Sequence, residues 1–413
     1  MIMNDKGANI VQQSLARWDI DLFSSAFKKH AYSIYKDLRA NSPVHPVNIP
    51  LERKAWLVTK YDDVVAMLKD HRLTMDARSD CRTGPLPPFV EKKYLSTNML
   101  SSDPPDHTRL RKLVQKGFTP RMVEGLRERI EKIAQTLLDQ VQDRKQMDLI
   151  EDYAFPLPII VICEMLGIPS EDRDQFREWS NTIVDTTNHP EKFQMFSQQV
   201  REFTQYLQEM IEQKRKYPED DLISRLVQVE SEGSHLTEAE LSSMIFLLIV
   251  AGHETTVNLI GNGGLALLEH PDQMEMLKSA PDLMEQAVEE LLRYYSPVEL
   301  ATNRWAKEEI CLRDTVISKG DMVIASIASA NRDEEHFECP DELDITRREN
   351  RHLAFGQGIH YCLGAPLARL EGQIALSNLI QRFPDLRLGV SADALRWRPS
   401  YLMRGLKTLP VLL

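Results

Sequence analysis

The chain of 413 residues carries 50 Lys and Arg against 62 Asp and Glu, a net charge of −12, which excludes the basic footprint of a nucleic-acid-binding protein. A composition 42% hydrophobic and 27% charged excludes disorder. The 17 glycines are about 4% of the chain against a usual share of ~7%, so tight turns are few and the balance leans to helix.

In chain order, residues 1–13 hold no apolar core of signal-peptide length. Residues 55–59 read as a strand. Residues 79–96, with Pro85, Pro87 and Pro88, read as an irregular loop. Helical patterns dominate residues 120–141 and 193–217, and strand patterns return at 309–316 and 322–327. The expectation is a small mixed sheet beside a helical body. No fixed-period repeat or low-complexity linker divides the chain.

The strongest local signal is a helix start at Thr237. Thr237 and Glu240 have the spacing of a capping box, and Leu236 and Leu241 stand at the staple positions. Patterning continues to about Glu269, about 50 Å of helix at 1.5 Å per residue. A helix apolar on nearly all sides is a buried core helix. Its longest apolar run, 244–251, is far short of the ~18 residues that span a bilayer, so a soluble, cytoplasmic protein is expected.

Ala251-Gly252-His253-Glu254-Thr255-Thr256 interrupts that helix. Buried polar groups need hydrogen-bond partners, and mid-helix Thr bonds back to the i−4 carbonyl. The segment is therefore either a satisfied kink or a functional site. His253-Glu254 opens like the zinc-protease H-E-x-x-H, but Val257 stands where the second His is needed. Gly261-Asn262-Gly263-Gly264-Leu265-Ala266 fits a dinucleotide fingerprint, which has to follow a strand. Inside a helix, close helix–helix packing accounts for these glycines.

The five cysteines are odd in number and far apart, without Cys-x-x-Cys, which excludes a secreted disulfide framework and a zinc ribbon. Cys81, Cys163, Cys311 and Cys339 read as small buried hydrophobes. Cys362 differs, in Phe355-Gly356-Gln357-Gly358-Ile359-His360-Tyr361-Cys362-Leu363-Gly364. Two glycines permit a tight, closely approaching loop. Ala365-Pro366-Leu367 then reads as a helix start with Pro in its first turn. A thiol before a helix N-terminus is turned toward thiolate, and a thiolate on a glycine loop suits a metal ligand.

The ten residues Phe355 to Gly364 resemble Phe-Gly-x-Gly-x-His-x-Cys-x-Gly, the haem-ligand loop of the cytochrome P450 family. Glu290-Leu291-Leu292-Arg293 resembles its Glu-x-x-Arg helix, and Ala251 to Thr255 its Ala-Gly-x-Glu-Thr oxygen-activation segment. Asp106-His107-Thr108-Arg109-Leu110-Arg111, Arg304-Trp305-Ala306 and Asn331-Arg332-Asp333 are similar to stretches of the soluble bacterial members. Order and spacing agree from about residue 95 onward, with small departures at Ser318 and Leu343, where members often carry Pro and Phe. The resemblance implies a mainly α fold with small β-sheets (α+β). It also implies one domain over residues 1–413 and a long central helix beside the haem.

By that resemblance, Cys362 is the axial ligand of a non-covalent haem b, whose thiolate ligation favours O–O cleavage. No Cys-x-x-Cys-His is present, so covalent attachment is not indicated. His107, Arg111, Arg304 and His360 would hold the propionates. Glu290, Arg293 and Arg347 would form a buried structural network. Glu254 and Thr255 would relay protons to dioxygen. Substrate contacts would come from Met99, Leu100, Ile245, Leu248, Ala251, Val298, Leu300, Leu402 and Met403. Glu299 among them reads as a solvent-facing carboxylate or an anchor for a polar substrate group.

The function so implied is a monooxygenase inserting one atom of O₂ into a hydrophobic polyketide, macrolide, terpenoid, steroid or fatty acid. The chain looks nearest to the polyketide- and macrolide-modifying members. Electrons would come from NAD(P)H through a separate ferredoxin and its reductase, because no second haem signature, P-loop, or credible flavin or nicotinamide fingerprint is present. A monomer without nucleic-acid or membrane partners is expected. The rivals are a peroxide-driven haem-thiolate peroxygenase, a non-catalytic haem sensor or carrier, and a helical scaffold without cofactor.

Overall fold

Helix α1 (Ser25–Asn41) begins where Ser24 accepts the Phe27 amide, and it buries Phe27, Ala31, Tyr35 and Leu38, one stripe of a 3.6-residue period. The computed structural model to which it belongs describes residues 20–49, 52, 54–77, 79–81, 96–173, 175, 176, 178, 179, 193–229 and 233–413. Residues 1–13 and most of the proline-rich stretch 79–96 lie outside that set.

After α1 come β1 (Val44–Val47), β2 (Ala55–Val58), α2 (Tyr61–Lys69) and β3 (Leu73–Thr74). The helical body follows: α3 (Asp106–Gly117), α4 (Pro120–Gly125), α5 (Arg127–Asp139), then β4 (Gln146–Asp148), α6 (Pro156–Leu166), α7 (Phe193–Lys216) and α8 (Leu222–Gln228). The helix expected over 120–141 is thus two, breaking at Gly125 and Leu126. Next are α9 (Glu238–Glu269), α10 (Pro271–Ser279) and α11 (Met284–Tyr294). The C-terminal part holds β5 (Arg304–Ala306), β6 (Ile310–Leu312), β7 (Thr315–Ile317), β8 (Met322–Ala325), α12 (Ile327–Ala330), α13 (Ala365–Arg382), β9 (Arg387–Leu388) and β10 (Pro410–Leu412).

The expected mixed sheet is present, with strand order β1-β2-β8-β5-β3 and the β2–β8 pair parallel. It joins chain segments more than 250 residues apart, pairing Ala55 with Met322 and Val58 with Ala325. The single strand expected over 309–316 is a hairpin of β6 and β7, turned at Arg313 with φ 50°. Strands β3, β4, β5, β9 and β10 have two or three residues each. That is too short for an alternating pattern to register.

Helix α9 starts as the capping box required. The Thr237 hydroxyl accepts the Glu240 amide at 3.3 Å and the Glu240 carboxylate accepts the Thr237 amide at 2.8 Å. It runs 32 residues. By length and composition it could cross a membrane, but much of it is buried inside the protein. It packs against α6, α11 and α13. Its glycines do what close packing needs: a Cβ on Gly264 would stand 2.7 Å from Leu149 Cδ2, one on Gly263 3.2 Å from Leu376 Cδ1, and one on Gly261 would collide with Ile150.

Candidate functional site

Loop 355–364 enters the interior from the end of the meander and feeds α13. Gly356 and Gly358 take φ of 71° and 75°, the left-handed region open to glycine. At Gly358 a side chain is excluded twice over, since a Cβ would sit 3.0 Å from the Leu68 carbonyl of α2. The Cys362 amide donates to the Phe355 carbonyl at 2.9 Å, closing the loop, and Arg111 on α3 donates to the Tyr361 carbonyl at 2.7 Å. Behind it, Arg369 donates to both Glu289 oxygens at 2.7 and 2.8 Å and lies 4.4 Å over the Phe355 ring.

Cys362 opens into a cavity whose empty space, its mouth included, is about 1700 Å³. Burial raises the Cys362 pKa, while the Gly364 and Ala365 amides and Arg111 act the other way. The helix-terminus amides thus act on the thiol in the expected direction, and burial opposes them. Cys81 and Cys163 are buried as expected, but Cys311 and Cys339 are exposed. Cys311 lies on the β6–β7 hairpin, and Cys339 takes φ 44° beside the meander.

His107, Arg111, Arg304 and His360 all border this cavity. The His107 and His360 rings meet edge to face, with centroids 4.4 Å apart. Among the described residues, neither ring nitrogen of His107 meets a partner in hydrogen-bond geometry, and buried Nη1 of Arg304 has none. Burial, followed by the charges of His107, Arg304 and Arg111, pushes the His360 pKa down to about 3. Burial takes Arg304 down to about 10, with Asp103 opposing. Unsatisfied buried donors and mutually repelling cations are costly. A dianionic group such as two haem propionates relieves both, so the residues present fit haem.

Facing Cys362 is the polar interruption of α9. Helix continues unbroken through it. Thr255 donates to the Ala251 carbonyl at 2.9 Å and Thr256 to Gly252 at 3.4 Å. Leu247, Leu248, Ala251, Gly252, Thr255 and Thr256 line the cavity. Glu254 does not. It is buried, with Oε1 accepting from Arg398 at 3.0 Å, Oε2 unpartnered and His253 Nε2 4.0 Å away. The acid and the alcohol are thus adjacent in sequence but face different surroundings.

Among the expected substrate contacts, Met99, Leu100, Leu248, Ala251, Val298, Leu300, Leu402 and Met403 line the cavity. Ile245 does not. It is fully enclosed by core side chains one turn before Leu248. Glu299 is neither solvent-facing nor in the cavity. Its side chain is wholly buried behind the wall in an ion pair with Lys28 at 2.6 Å. Sequence reasoning missed Phe118, Ile162, Met165, Leu247 and Glu371 on the lining. Leu247 was within reach of the Ala251–Thr255 stripe, whereas the others lie on elements whose orientation only the tertiary fold sets.

The Glu290 network assembles as expected. Arg293 grips Glu290 with two bonds of 2.7 Å, and Arg347 Nε adds a third at 3.1 Å. Its bonds tie α11 to residues 331–350, and neither Glu290 nor Arg293 lines the cavity.

Comparison with known proteins agrees with this geometry. The family profile described as Cytochrome P450 matches residues 50–386. A "Cytochrome P450" of Bacillus subtilis is 50% identical over 392 residues, covering 94% of this chain and 96% of that one. "Polyketide biosynthesis cytochrome P450 PksS" of the same organism is 47% identical, covering 93% and 96%. The solved structure of Bacillus subtilis PksS superposes with a TM-score of 0.90 at 46% identity, covering 95% of this chain and 99% of that one. A glycine-rich loop presenting a cysteine into an apolar cavity, the buried Glu-x-x-Arg pair and these matches lead to one conclusion: the chain belongs to the cytochrome P450 family of haem-dependent monooxygenases.

Proposed function

We propose that this protein binds haem b non-covalently through the Cys362 thiolate and hydroxylates a hydrophobic small molecule of the polyketide or macrolide class. The observation that carries the reading is the cavity itself: apolar over most of its wall, with a thiol on its lining and His107, Arg111, Arg304 and His360 gathered along its border. Its substrate class is supported by the polyketide assignment in the name of PksS.

In this reading one oxygen atom of O₂ enters a C–H bond and the other leaves as water, consuming two electrons and two protons. Bound haem supplies the redox-active iron, and thiolate ligation favours O–O cleavage. The chain's own residues do the rest. Arg111 and Arg304 would neutralise the propionates, and His107 and His360 would hydrogen-bond to them. Leu247, Leu248, Val298, Leu300 and Leu402 exclude water and hold the substrate by its apolar surface. The Thr255 hydroxyl stands at the cavity surface, and Glu254, paired with the partly exposed Arg398, links the interior to solvent. Together they order the water that delivers protons. Electrons come from NAD(P)H through a separate ferredoxin and reductase, and the enzyme works as a cytoplasmic monomer.

The test is the absorption spectrum of the purified protein, reduced and exposed to carbon monoxide, for the wild type and Cys362→Ser. A strongly red-shifted Soret band lost in the variant supports the reading, and an unchanged band refutes it. A spin-state titration with macrolactones, steroids and fatty acids then tests the substrate class. Turnover with peroxide but none with O₂ and a ferredoxin system would replace monooxygenation by the peroxygenase reading.

A further inference from the structure

Two extended segments form one wall of the cavity. Val298 and Leu300 come from the first, Leu402 and Met403 from the second. They hold each other by backbone bonds: the Glu299 amide donates to the Leu402 carbonyl at 2.8 Å and the Arg404 amide to the Pro297 carbonyl at 2.9 Å. Side chains alternate along an extended strand. With Val298 and Leu300 facing the cavity, Glu299 faces away from it, toward α1.

What meets it there is a buried charge cluster. Lys28 Nζ donates to Glu299 Oε2 at 2.6 Å, with both side chains fully buried. The same ammonium donates to the Met403 carbonyl at 3.2 Å, so one group touches both wall segments. Tyr35, two turns further along α1, donates its hydroxyl to Glu299 Oε1 at 2.8 Å. Arg404 closes the circuit, donating to the Lys28 carbonyl at 3.0 Å with its guanidinium 3.9 Å over the Trp397 ring. Its own carbonyl accepts from Asn262 of α9 at 2.8 Å.

We propose that Lys28 and Glu299 are positioning residues for the substrate. By bridging the carboxylate of one wall segment and the carbonyl of the other, Lys28 fixes the separation of Val298 and Leu300 from Leu402 and Met403. Helix α1, which contributes no lining residue, thereby sets the width of the upper cavity. A buried ion pair is a poor source of net stability but a good fixer of geometry, because its short contacts tolerate few alternative arrangements. The wall needs such a device, since its two segments are joined to each other and to the β8 end by only a few backbone bonds.

The inference rests on the cavity being the haem and substrate pocket but not on which substrate it takes. Its test therefore uses probes indifferent to that choice: imidazole and 1-butyl-, 1-octyl- and 1-dodecylimidazole, titrated into the haem-loaded protein. Each coordinates iron, and only the alkyl chain explores the wall. Tyr35→Phe removes one bond to Glu299 and keeps the ion pair. Lys28→Met with Glu299→Gln removes both charges at similar volume, and Arg404, buried 3.9 Å from Glu299, keeps the Lys28 carbonyl and the Trp397 ring as partners.

The double variant is expected to keep the carbon monoxide spectrum and imidazole affinity of the wild type while binding the octyl and dodecyl probes about tenfold more weakly, a loss in the range of coupled neighbours. Tyr35→Phe should show the same pattern at about two- to threefold. Unchanged long-chain affinities, or an equal change for imidazole itself, would overturn the proposal. Neither result bears on the polyketide class, which the spin-state titration decides separately.

Discussion

Replacing Glu290 by Ala tests how α11 is tied to residues 331–350. The carboxylate accepts two bonds from Arg293, one each from Arg347 and Asn350, and one from the Asp344 amide at 3.0 Å. Glu290 and Arg293 are both fully buried. Arg293 also donates to the carbonyls of Asn331, Pro340 and Glu342 at 2.8–2.9 Å, so it cannot swing out to solvent without losing those bonds too. Alanine therefore strands a buried cation, costing about 3–5 kcal/mol. The orphaned Asp344 amide adds about 1–3 kcal/mol. Against a total stability of ~5–15 kcal/mol, that removes most of the margin. Arg347→Ala leaves Glu290 paired with Arg293 and strands no buried charge, so it should cost only about 1–2 kcal/mol. Urea unfolding followed by far-ultraviolet circular dichroism, with the Soret band as a second probe, gives both numbers. If Glu290→Ala unfolds no earlier than Arg347→Ala, the network is not the keystone its geometry indicates.

Three more outcomes follow from the same structure. Although burial pushes it up, Arg369 and His352 hold the Glu289 pKa down to about 2. A depressed carboxylate stabilises above its unfolded pKa and loses that advantage as pH falls, so the difference between wild type and Glu289→Gln should shrink from pH 4.5 toward 2, by up to about 3 kcal/mol, in denaturant midpoints measured across that window. Gly264→Ala meets Leu149 at 2.7 Å and should lower Tm, overpacking costing about 1–3 kcal/mol against ~1 kcal/mol gained in helix propensity. Gly263→Ala, with its nearest contact at 3.2 Å, should leave Tm nearly unchanged. Thr255→Ala should leave the carbon monoxide spectrum intact and raise the peroxide formed per NAD(P)H oxidised. Unaltered coupling would remove Thr255 from the proton relay.

The parts of the molecule legible in the sequence are those specified locally. The capping box at Thr237 needs four residues, and the loop around Cys362 needs ten. The direction of a side chain was legible only where helical arithmetic reached it. Thr255 and Ala251 share a face of α9, but Glu254, three residues from Ala251, falls near that face too, and only the fold shows that its carboxylate stays off the cavity lining. Glu299 was not legible, because the residue that buries it lies 271 positions earlier in the chain. The short strands were missed for a related reason. β10 exists because β4 and β9 flank it, not because Pro410–Leu412 has any pattern of its own.

One helix bears two kinds of position a step apart. Leu247, Leu248 and Ala251 line the cavity, while Ile245 and Ile249 on the same turns are sealed in the core. Truncating a core isoleucine leaves a void and costs about 2–5 kcal/mol. A side chain on the cavity lining makes fewer contacts with the protein, so trimming it costs less. Selectivity in this chain can drift, or be bred, along one stripe of α9 at a smaller cost to the margin that keeps it folded.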